Sequence, residues 1–244
     1  LNHRYINRLP LVITTNLSLD QIEGRIRSRL SDPELISHLR IIAPDFRRPM
    51  DDTGQNELSA LHLLKDRSFA SFDSREGEGL TKQDQGSLKK AFDAARKFAE
   101  KPKGWLLFTG SHGSGKTHLA AAIANYAADM GKIPLFVMVP DLLDHLRATF
   151  NPSSPVSYDR RFEEVRNSEL LILDDLGTQS ATPWAREKLY QLFTHRYNAQ
   201  LPTVITTADT IEDMDPRIRS RMLDTRIATI YALTAPAYTG RKKK

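Results

Sequence analysis

Short apolar runs alternate along the chain with longer segments whose apolar residues recur at helical spacing. Runs of this length, bounded by turn residues, are typical of strands buried in a parallel sheet. They predict strands over residues 105–109, 134–139, 170–173, 203–207 and 227–233. The segments between them predict helices over residues 118–130, 141–150, 159–167 and 184–199. Strands alternating with helices predict a three-layer α/β fold with a central parallel sheet.

The first 48 residues repeat the last part of the chain. From His3 and His195 onward the two segments align without a gap, and about 17 of 42 positions are identical. Such self-similarity indicates a duplicated structural unit. The repeat favours a piece of a longer tandem protein, with a partial duplication inside one gene as the alternative. Its predicted strand over 11–15 and helix over 21–30 bury too little surface alone and need a packing partner.

This repeat predicts the domain organisation. Residues 1–48 form a partial module that matches residues 193–240, and residues 87–240 form a complete module. Between them, residues 49–86 are polar, carry several glycines and predict a linker with one short helix near 58–64. A better helix is predicted over 88–99, and residues 241–244 form a basic tail.

A glycine-rich loop follows the predicted strand over 105–109. The loop fits G-x-x-x-x-G-K-[ST] and leads into the Ala-rich helix predicted over 118–130. Strand, loop and helix in this order predict a phosphate-binding site, because glycines let the backbone curl and the helix N-terminus adds partial positive charge. Lys116 is expected to reach the β- and γ-phosphates of a nucleotide, and Thr117 to ligate Mg²⁺. The predicted nucleotide-binding residues are Gly110, Ser111, His112, Gly113, Ser114, Gly115, Lys116, Thr117 and His118. A flexible surface turn is the alternative interpretation.

Two carboxylates end the predicted strand over 170–173. Ligands bind at the carboxyl ends of parallel strands, which is where Asp174 and Asp175 are expected to lie. We predict that Asp174 holds Mg²⁺ and that Asp175 orients and deprotonates the attacking water. An Asp pair after a strand is a weak signal alone. Together with the upstream glycine loop it predicts hydrolysis of a nucleoside triphosphate.

Composition excludes several other classes of protein. The chain has 244 residues, 40% hydrophobic and 27% charged, which is typical of globular proteins. Because it contains no cysteine, disulfide scaffolds, thiolate zinc sites and cysteine nucleophiles are excluded. No apolar run approaches the roughly 20 residues that cross a bilayer, and the first residues do not resemble a secretory signal, so we predict a cytoplasmic protein without a membrane partner. A net charge of +5 and the tail Arg241-Lys242-Lys243-Lys244 favour an anionic partner.

Residues 69–235 resemble the AAA+ ATPases of the DnaC/DnaI type, the replicative helicase loaders, and are also similar to IstB-type transposition helpers. The resemblance lies in GSHGSGKTHLAAAIAN, in the run from LLILDDLG to PTVITT, and in PRIRSRM. It implies that Thr207 is the sensor of the γ-phosphate or attacking water, although Ala208 stands where the family often has Asn. It also implies that Arg221 is an arginine finger, with Arg217 a weaker candidate and Arg29 its counterpart in the partial module. A solvated basic helix face is the alternative for these arginines.

The resemblance implies an ATP-dependent AAA+ ATPase. Such a protein binds ATP and Mg²⁺, self-associates through the finger of a neighbouring copy, and loads a DNA-processing partner such as a replicative helicase on single-stranded DNA. One alternative is an IstB-like helper that regulates a transposase. The other is a nucleotide-binding scaffold or filament without significant hydrolysis.

Overall fold

The computed structural model describes residues 2–15, 21–32, 35–37, 58–149, 158–177 and 182–238. Two compact units divide the chain, Leu1–Asp45 and Phe46–Lys244. None of the helices in the described ranges has the length and apolar character needed to cross a bilayer.

The larger unit is built on a five-stranded parallel sheet. Its strands are β1 (Trp105–Gly110), β2 (Leu135–Met138), β3 (Leu171–Asp174), β4 (Thr203–Thr207) and β5 (Ala228–Leu233). Their order in the sheet is β2-β3-β4-β1-β5, and every neighbouring pair is parallel. All five strands predicted for this unit are present, so the parallel α/β prediction is confirmed.

Helices cover the sheet on both faces. The α-helices in the described part of the chain are α1 (Asn2–Ile6) and α2 (Gly24–Leu30) in the smaller unit, and α3 (Lys82–Glu100), α4 (Lys116–Asp129), α5 (Val139–Ala148), α6 (Tyr158–Arg166), α7 (Pro183–Asn198) and α8 (Pro216–Met222) in the larger unit. Alternate residues of β1 point to opposite faces, as the two-residue period of a strand requires. Trp105 and Leu107 join the cluster formed with α5, α6 and α7, whereas Leu106 and Phe108 join the one formed with α3 and α4.

Helix α3 begins at Lys82, ahead of the predicted start at Leu88. The hydroxyl of Thr81 accepts a hydrogen bond from the backbone N–H of Asp84, which satisfies one of the free donors of the first turn. The helix therefore includes Gly86, the last residue of the predicted linker.

The described part of the predicted linker over 49–86 packs against the sheet and α4. Leu61, in a 3₁₀ helix over Ala60–Leu64, is 1% exposed. The Ser59 hydroxyl accepts from a backbone N–H of β2, and the Asn125 side chain donates to two backbone carbonyls of the same segment. The segment from residue 58 onward is therefore part of the larger unit.

The smaller unit contains α1 and α2 but no strand among its described residues. The predicted strand over 11–15 is without regular structure and is solvent-exposed, with Val12 90% exposed. Its counterpart β4 forms because β1 and β3 pair with it on either side. Among the described residues no strand neighbours residues 11–15, and this apolar run does not form a ladder there. Helix α2 starts at Gly24, later than the predicted 21–30.

Candidate nucleotide-binding site

The glycine loop curls between the end of β1 and the start of α4 as predicted. Gly110 has a φ of 139° and Gly113 a φ of 73°, a region that residues with a side chain rarely adopt. A Cβ at Gly110 would lie 2.2 Å from the carbonyl oxygen of Leu233 on β5. Both backbone conformation and close approach therefore require glycine at the entrance of the loop.

Lys116 folds back over this loop. Its Nζ donates to the carbonyl oxygens of Gly110 (2.7 Å) and Ser111 (2.8 Å). Burial lowers the pKa of this ammonium, while the carboxylates of Asp174 and Asp175 raise it. The two hydrogen bonds hold the Lys116 ammonium at the loop, where it interacts electrostatically with Asp174 and Asp175.

Ser114 supplies a further polar group to the loop. Its hydroxyl oxygen is buried and has no hydrogen-bond partner in the described part of the chain. Buried hydroxyls are normally satisfied. An unsatisfied one inside a phosphate loop fits a site that takes a polar ligand.

The loop and the acidic pair converge. The Thr117 hydroxyl lies 3.1 Å from each carboxylate oxygen of Asp174 and donates to that carboxylate. Asp174 is 1% exposed. Burial raises the pKa of Asp174, and hydrogen bonds from Thr206 and Thr117 lower it. The structure thus brings together the two groups predicted to hold Mg²⁺.

These residues suit a cation that is shared with phosphate oxygens. Within the described ranges, no three His, Cys, Asp or Glu side chains cluster closely enough to hold a metal ion by themselves. Mg²⁺ is commonly bound by one or two protein oxygen ligands together with substrate phosphates and water. The Thr117 hydroxyl and the Asp174 carboxylate are such a pair.

Asp175 lies just beyond β3 in the left-handed region, with a φ of 58°, a conformation that Asp tolerates better than most residues. Its backbone N–H donates to the Thr206 hydroxyl at 2.9 Å. The carboxylate itself is half-exposed and accepts no hydrogen bond from a described residue. It is therefore available to a water molecule at this edge of the sheet.

Thr206 was not predicted as a site residue. Its hydroxyl donates to Asp174 at 2.6 Å and accepts from the Asp175 backbone, so it links the two acidic residues. The Thr207 hydroxyl, by contrast, accepts from the backbone N–H of Asp209 at 3.0 Å. The register that pairs Leu173 with Ile205 places Thr206 beside Asp174. This pairing of β4 with β3 would identify Thr206 as a site residue, but the sequence alone does not reveal which residues of the two strands pair.

The two histidines of the predicted site differ in their surroundings. His112 is exposed on the loop. His118 lies on α4 with its Nε2 2.9 Å from the carbonyl oxygen of Ser68 and its ring edge-on to Phe72. Burial lowers the pKa of His118. His118 therefore joins the loop helix to the packed segment that precedes α3.

The structure does not bring Arg221 to the glycine loop of its own chain. The Arg221 guanidinium lies over the rings of Tyr190 and Tyr197, at 5.1 and 5.7 Å. Tyr197 packs against Trp105, the first residue of β1, with ring centroids 6.0 Å apart. The glycine loop begins at Gly110, at the other end of that strand, which is roughly 17 Å away at the rise of a parallel strand. Arg221 therefore lies near the opposite end of β1 from the glycine loop of its own chain.

Other predicted basic groups lie elsewhere. Arg217 binds Asp215 and Glu187, Arg29 belongs to the smaller unit, and the tail over 241–244 lies outside the described residues.

Residues 45–229 match the family model described as IstB-like ATP binding protein. The chain is 30% identical to the replicative helicase loader DnaC of Escherichia coli (strain K12) over 137 residues, which is 55% of this chain and 56% of that protein. It is 33% identical to the replicative helicase loader DnaI of Bacillus subtilis (strain 168) over 108 residues, 44% of this chain and 33% of that one. The chain thus spans about half the length, or less, of these relatives.

Solved structures share its fold. The crystal structure of DnaI superposes with a TM-score of 0.56 at 24% identity, covering 72% of this chain and 92% of that one. The crystal structure of the DnaC helicase loader superposes with a TM-score of 0.56 at 24% identity, covering 70% of this chain and 98% of that one. Domain III of the Thermotoga maritima replication initiation protein DnaA superposes with a TM-score of 0.58 at 20% identity, covering 70% of this chain and 68% of that one. These likenesses confirm the predicted AAA+ P-loop fold.

Proposed function

Because the chain belongs to the IstB-like ATP-binding protein family, we propose that it is an AAA+ ATPase of the helicase-loader type, which binds ATP with Mg²⁺ and hydrolyses it. One observation carries the proposal, namely the contact between the Thr117 hydroxyl and the Asp174 carboxylate. It joins the phosphate loop to the acidic pair, and both are needed for metal-assisted phosphoryl transfer.

Each residue of the site has a proposed role in binding. The backbone N–H groups of residues 110–117 hold the phosphates. His118, the next residue on α4, is the last of the residues proposed to bind the nucleotide. Lys116 exchanges its two loop carbonyls for β- and γ-phosphate oxygens. Thr117 and Asp174 would hold Mg²⁺, which when bound neutralises charge on those oxygens.

Three further residues act on the reaction. Asp175 accepts the proton of the attacking water, as a general base. Thr207 is proposed as the sensor at the end of β4. Arg221 reaches the γ-phosphate bound by a neighbouring copy and stabilises charge that develops there. Self-association is then required for full turnover.

We further propose that the ATP cycle is coupled to loading a replicative helicase on single-stranded DNA. The names of the DnaC and DnaI relatives and the net charge of +5 support this. The family description favours a second candidate, a transposition helper that regulates a transposase with the same ATPase site. Co-purification with a replicative helicase rather than with a transposase would distinguish the two.

The test is ATP turnover with and without single-stranded DNA, measured for the unaltered chain and for Asp175→Asn. We expect Asp175→Asn to lose about 100-fold or more in kcat, as general bases typically contribute, while fluorescent-ATP binding is retained. Asp144→Asn, at an exposed carboxylate on α5, is the matched control and should turn over normally. Unchanged turnover in Asp175→Asn would refute the proposed base. Tight ATP binding without any turnover in the unaltered chain would favour the non-hydrolysing scaffold.

A further inference from the structure

Two arginines one helical turn apart on α8 have different surroundings. Arg217 is neutralised, with its Nε 3.2 Å from an Asp215 carboxylate oxygen and an Nη1 3.4 Å from Glu187. Arg221 has no carboxylate within ion-pair distance in the described part of the chain. It donates to the carbonyl of Arg217, and its Nε is buried without a hydrogen-bond partner among those residues. Arg221 therefore keeps an uncompensated charge, which a phosphate could use.

Aromatic rings take the place of a carboxylate around Arg221. Tyr190 and Tyr197 offer their faces to its guanidinium at 5.1 and 5.7 Å. A cation–π contact holds a guanidinium in one direction without neutralising it. Arg217 is also within 4.2 Å of the Tyr190 ring, so Tyr190 is shared by the two arginines. Of the two rings, Tyr197 contacts Arg221 without contacting Arg217.

Tyr197 is itself held in place. Its hydroxyl donates to the carboxylate of Asp224, and its ring packs edge-to-face against Trp105. Asp224 is oriented by Arg226, whose guanidinium donates to both carboxylate oxygens at 2.7 and 2.9 Å. Hydrogen bonds from Arg226 and Tyr197 hold the pKa of Asp224 below its usual range. Asp224 is therefore ionised at neutral pH and fixes the orientation of the tyrosine.

The same contacts recur in the smaller unit. The Tyr5 hydroxyl donates to Asp32 at 2.5 Å, the Arg29 guanidinium lies 5.8 Å from the Tyr5 ring, and Arg29 donates to the carbonyl of Arg25 at 3.3 Å. In the repeat, these residues are the counterparts of Tyr197, Asp224, Arg221 and Arg217. More than half of the aligned positions differ between the two copies, yet all four of these residues are retained. Since no strand exists in the described part of the smaller unit, the arrangement does not depend on the sheet.

We infer that Tyr197, fixed by Asp224, is a positioning residue that aims Arg221 into the nucleotide site of a neighbouring copy of this chain. The inference rests on the proposed ATPase function. A long arginine side chain loses conformational entropy when it is held in one direction. The tyrosine ring orders it in advance, so that less of that cost falls on the transition state. Removing the ring should lower kcat and leave ATP affinity at the same chain's loop unchanged.

The first experiment measures kcat, KM and fluorescent-ATP affinity for two substitutions. Tyr197→Leu removes the ring, and we expect kcat to fall at least about ten-fold with the Kd for ATP unchanged. Tyr197→Phe keeps the ring but loses the bond to Asp224, and should give a smaller loss of kcat. Tyr126→Phe, at a half-buried tyrosine on α4 that packs on Phe69, is the matched control and should have no effect. An unaltered kcat in Tyr197→Leu overturns the inference.

The second experiment distinguishes positioning from folding. Tyr197→Leu is mixed with Lys116→Ala, which loses ATP binding but retains an intact Tyr197 and Arg221. We expect the mixture to recover turnover, because the Lys116→Ala copies supply correctly aimed fingers to the intact loops of the others. A substitution that only damages its own fold would not be rescued, so failure of the mixture overturns the inference.

Arg221→Ala separates this inference from the proposed function. Full turnover in Arg221→Ala would refute the finger, and the role of Tyr197 with it. If Arg221→Ala abolishes turnover whereas Tyr197→Leu retains it, the finger stands and the positioning role alone is refuted.

Discussion

Threonine hydroxyls of β4 form hydrogen bonds with buried polar groups at both ends of the strand. At the carboxyl end of β4, Thr206 is 1% exposed and binds both acidic residues of the site. At the other end, the Thr203 hydroxyl accepts from Arg196, which is fully buried and also donates to the backbone carbonyls of Ser168 and Pro202, ahead of β3 and β4. Burial lowers the pKa of the Arg196 guanidinium to about 9. The hydrogen-bond acceptors offset the free-energy cost of burying its charge. Each hydroxyl therefore satisfies a buried polar group that the strands leave unpaired.

Substitutions of the two adjacent threonines of β4 should differ in their effect on stability. Thr206→Val keeps the shape but leaves Asp174 without one donor and the Asp175 N–H without its acceptor, which should lower the free energy of unfolding by about 1–3 kcal/mol. We expect its kcat to fall about ten-fold or more. Thr207→Val breaks only a local bond to Asp209, so its free energy of unfolding should change less, whereas loss of the proposed sensor hydroxyl should lower kcat. Melting curves and steady-state turnover of the two purified variants test this. Unchanged turnover in Thr207→Val would refute its assignment as the γ-phosphate sensor.

At the scale of elements, the predicted strands and helices of the larger unit agree with the structure to within a residue or two for most elements. Their signals are local, namely short apolar runs such as 170–173 that are bounded by turn residues, and longer segments with apolar residues at helical spacing. The role of Thr206 was missed because it depends on the register of β4 against β3. The strand over 11–15 was predicted wrongly because an apolar run becomes a strand only when neighbours are available to pair with it.

Near-identical sequences in different surroundings predict different hydrogen exchange. Residues 204–207 lie between two paired strands, whereas residues 12–15 are exposed and carry no ladder. We expect amides of 204–207 to exchange at least about 1000-fold more slowly than those of 12–15, because opening β4 requires breaking the core. Exchange followed by mass spectrometry or NMR on the intact chain measures this. Comparable protection of residues 12–15 would show that this segment has found strand partners.

At the scale of the whole molecule, the segment before α3 was the hardest to predict. Residues 58–81 lack the regular apolar spacing of a helix or strand, so the pattern favoured a linker. Their packing depends on isolated anchors, such as Leu61 in the core and the Ser68 carbonyl that contacts His118. Phe72 lies 3.2 Å from where a Cβ on Gly115 would stand. The segment thus reaches the glycine loop, and the larger unit includes it although the sequence predicted a complete module only from residue 87.

Two leucines of the same 3₁₀ helix test whether this segment stabilises the larger unit. Leu61 is 1% exposed and Leu63 is 70% exposed. Leu61→Ala should lower the free energy of unfolding by about 2–5 kcal/mol, because it leaves a cavity against α4 and the sheet. Leu63→Ala, the matched control, should change it by less than about 0.5 kcal/mol. Urea denaturation of the intact chain, followed by tryptophan fluorescence from Trp105 and Trp184, gives both values. Equal, small changes would mean that the segment is a linker after all, because a buried anchor cannot lose its side chain without cost to the core it fills.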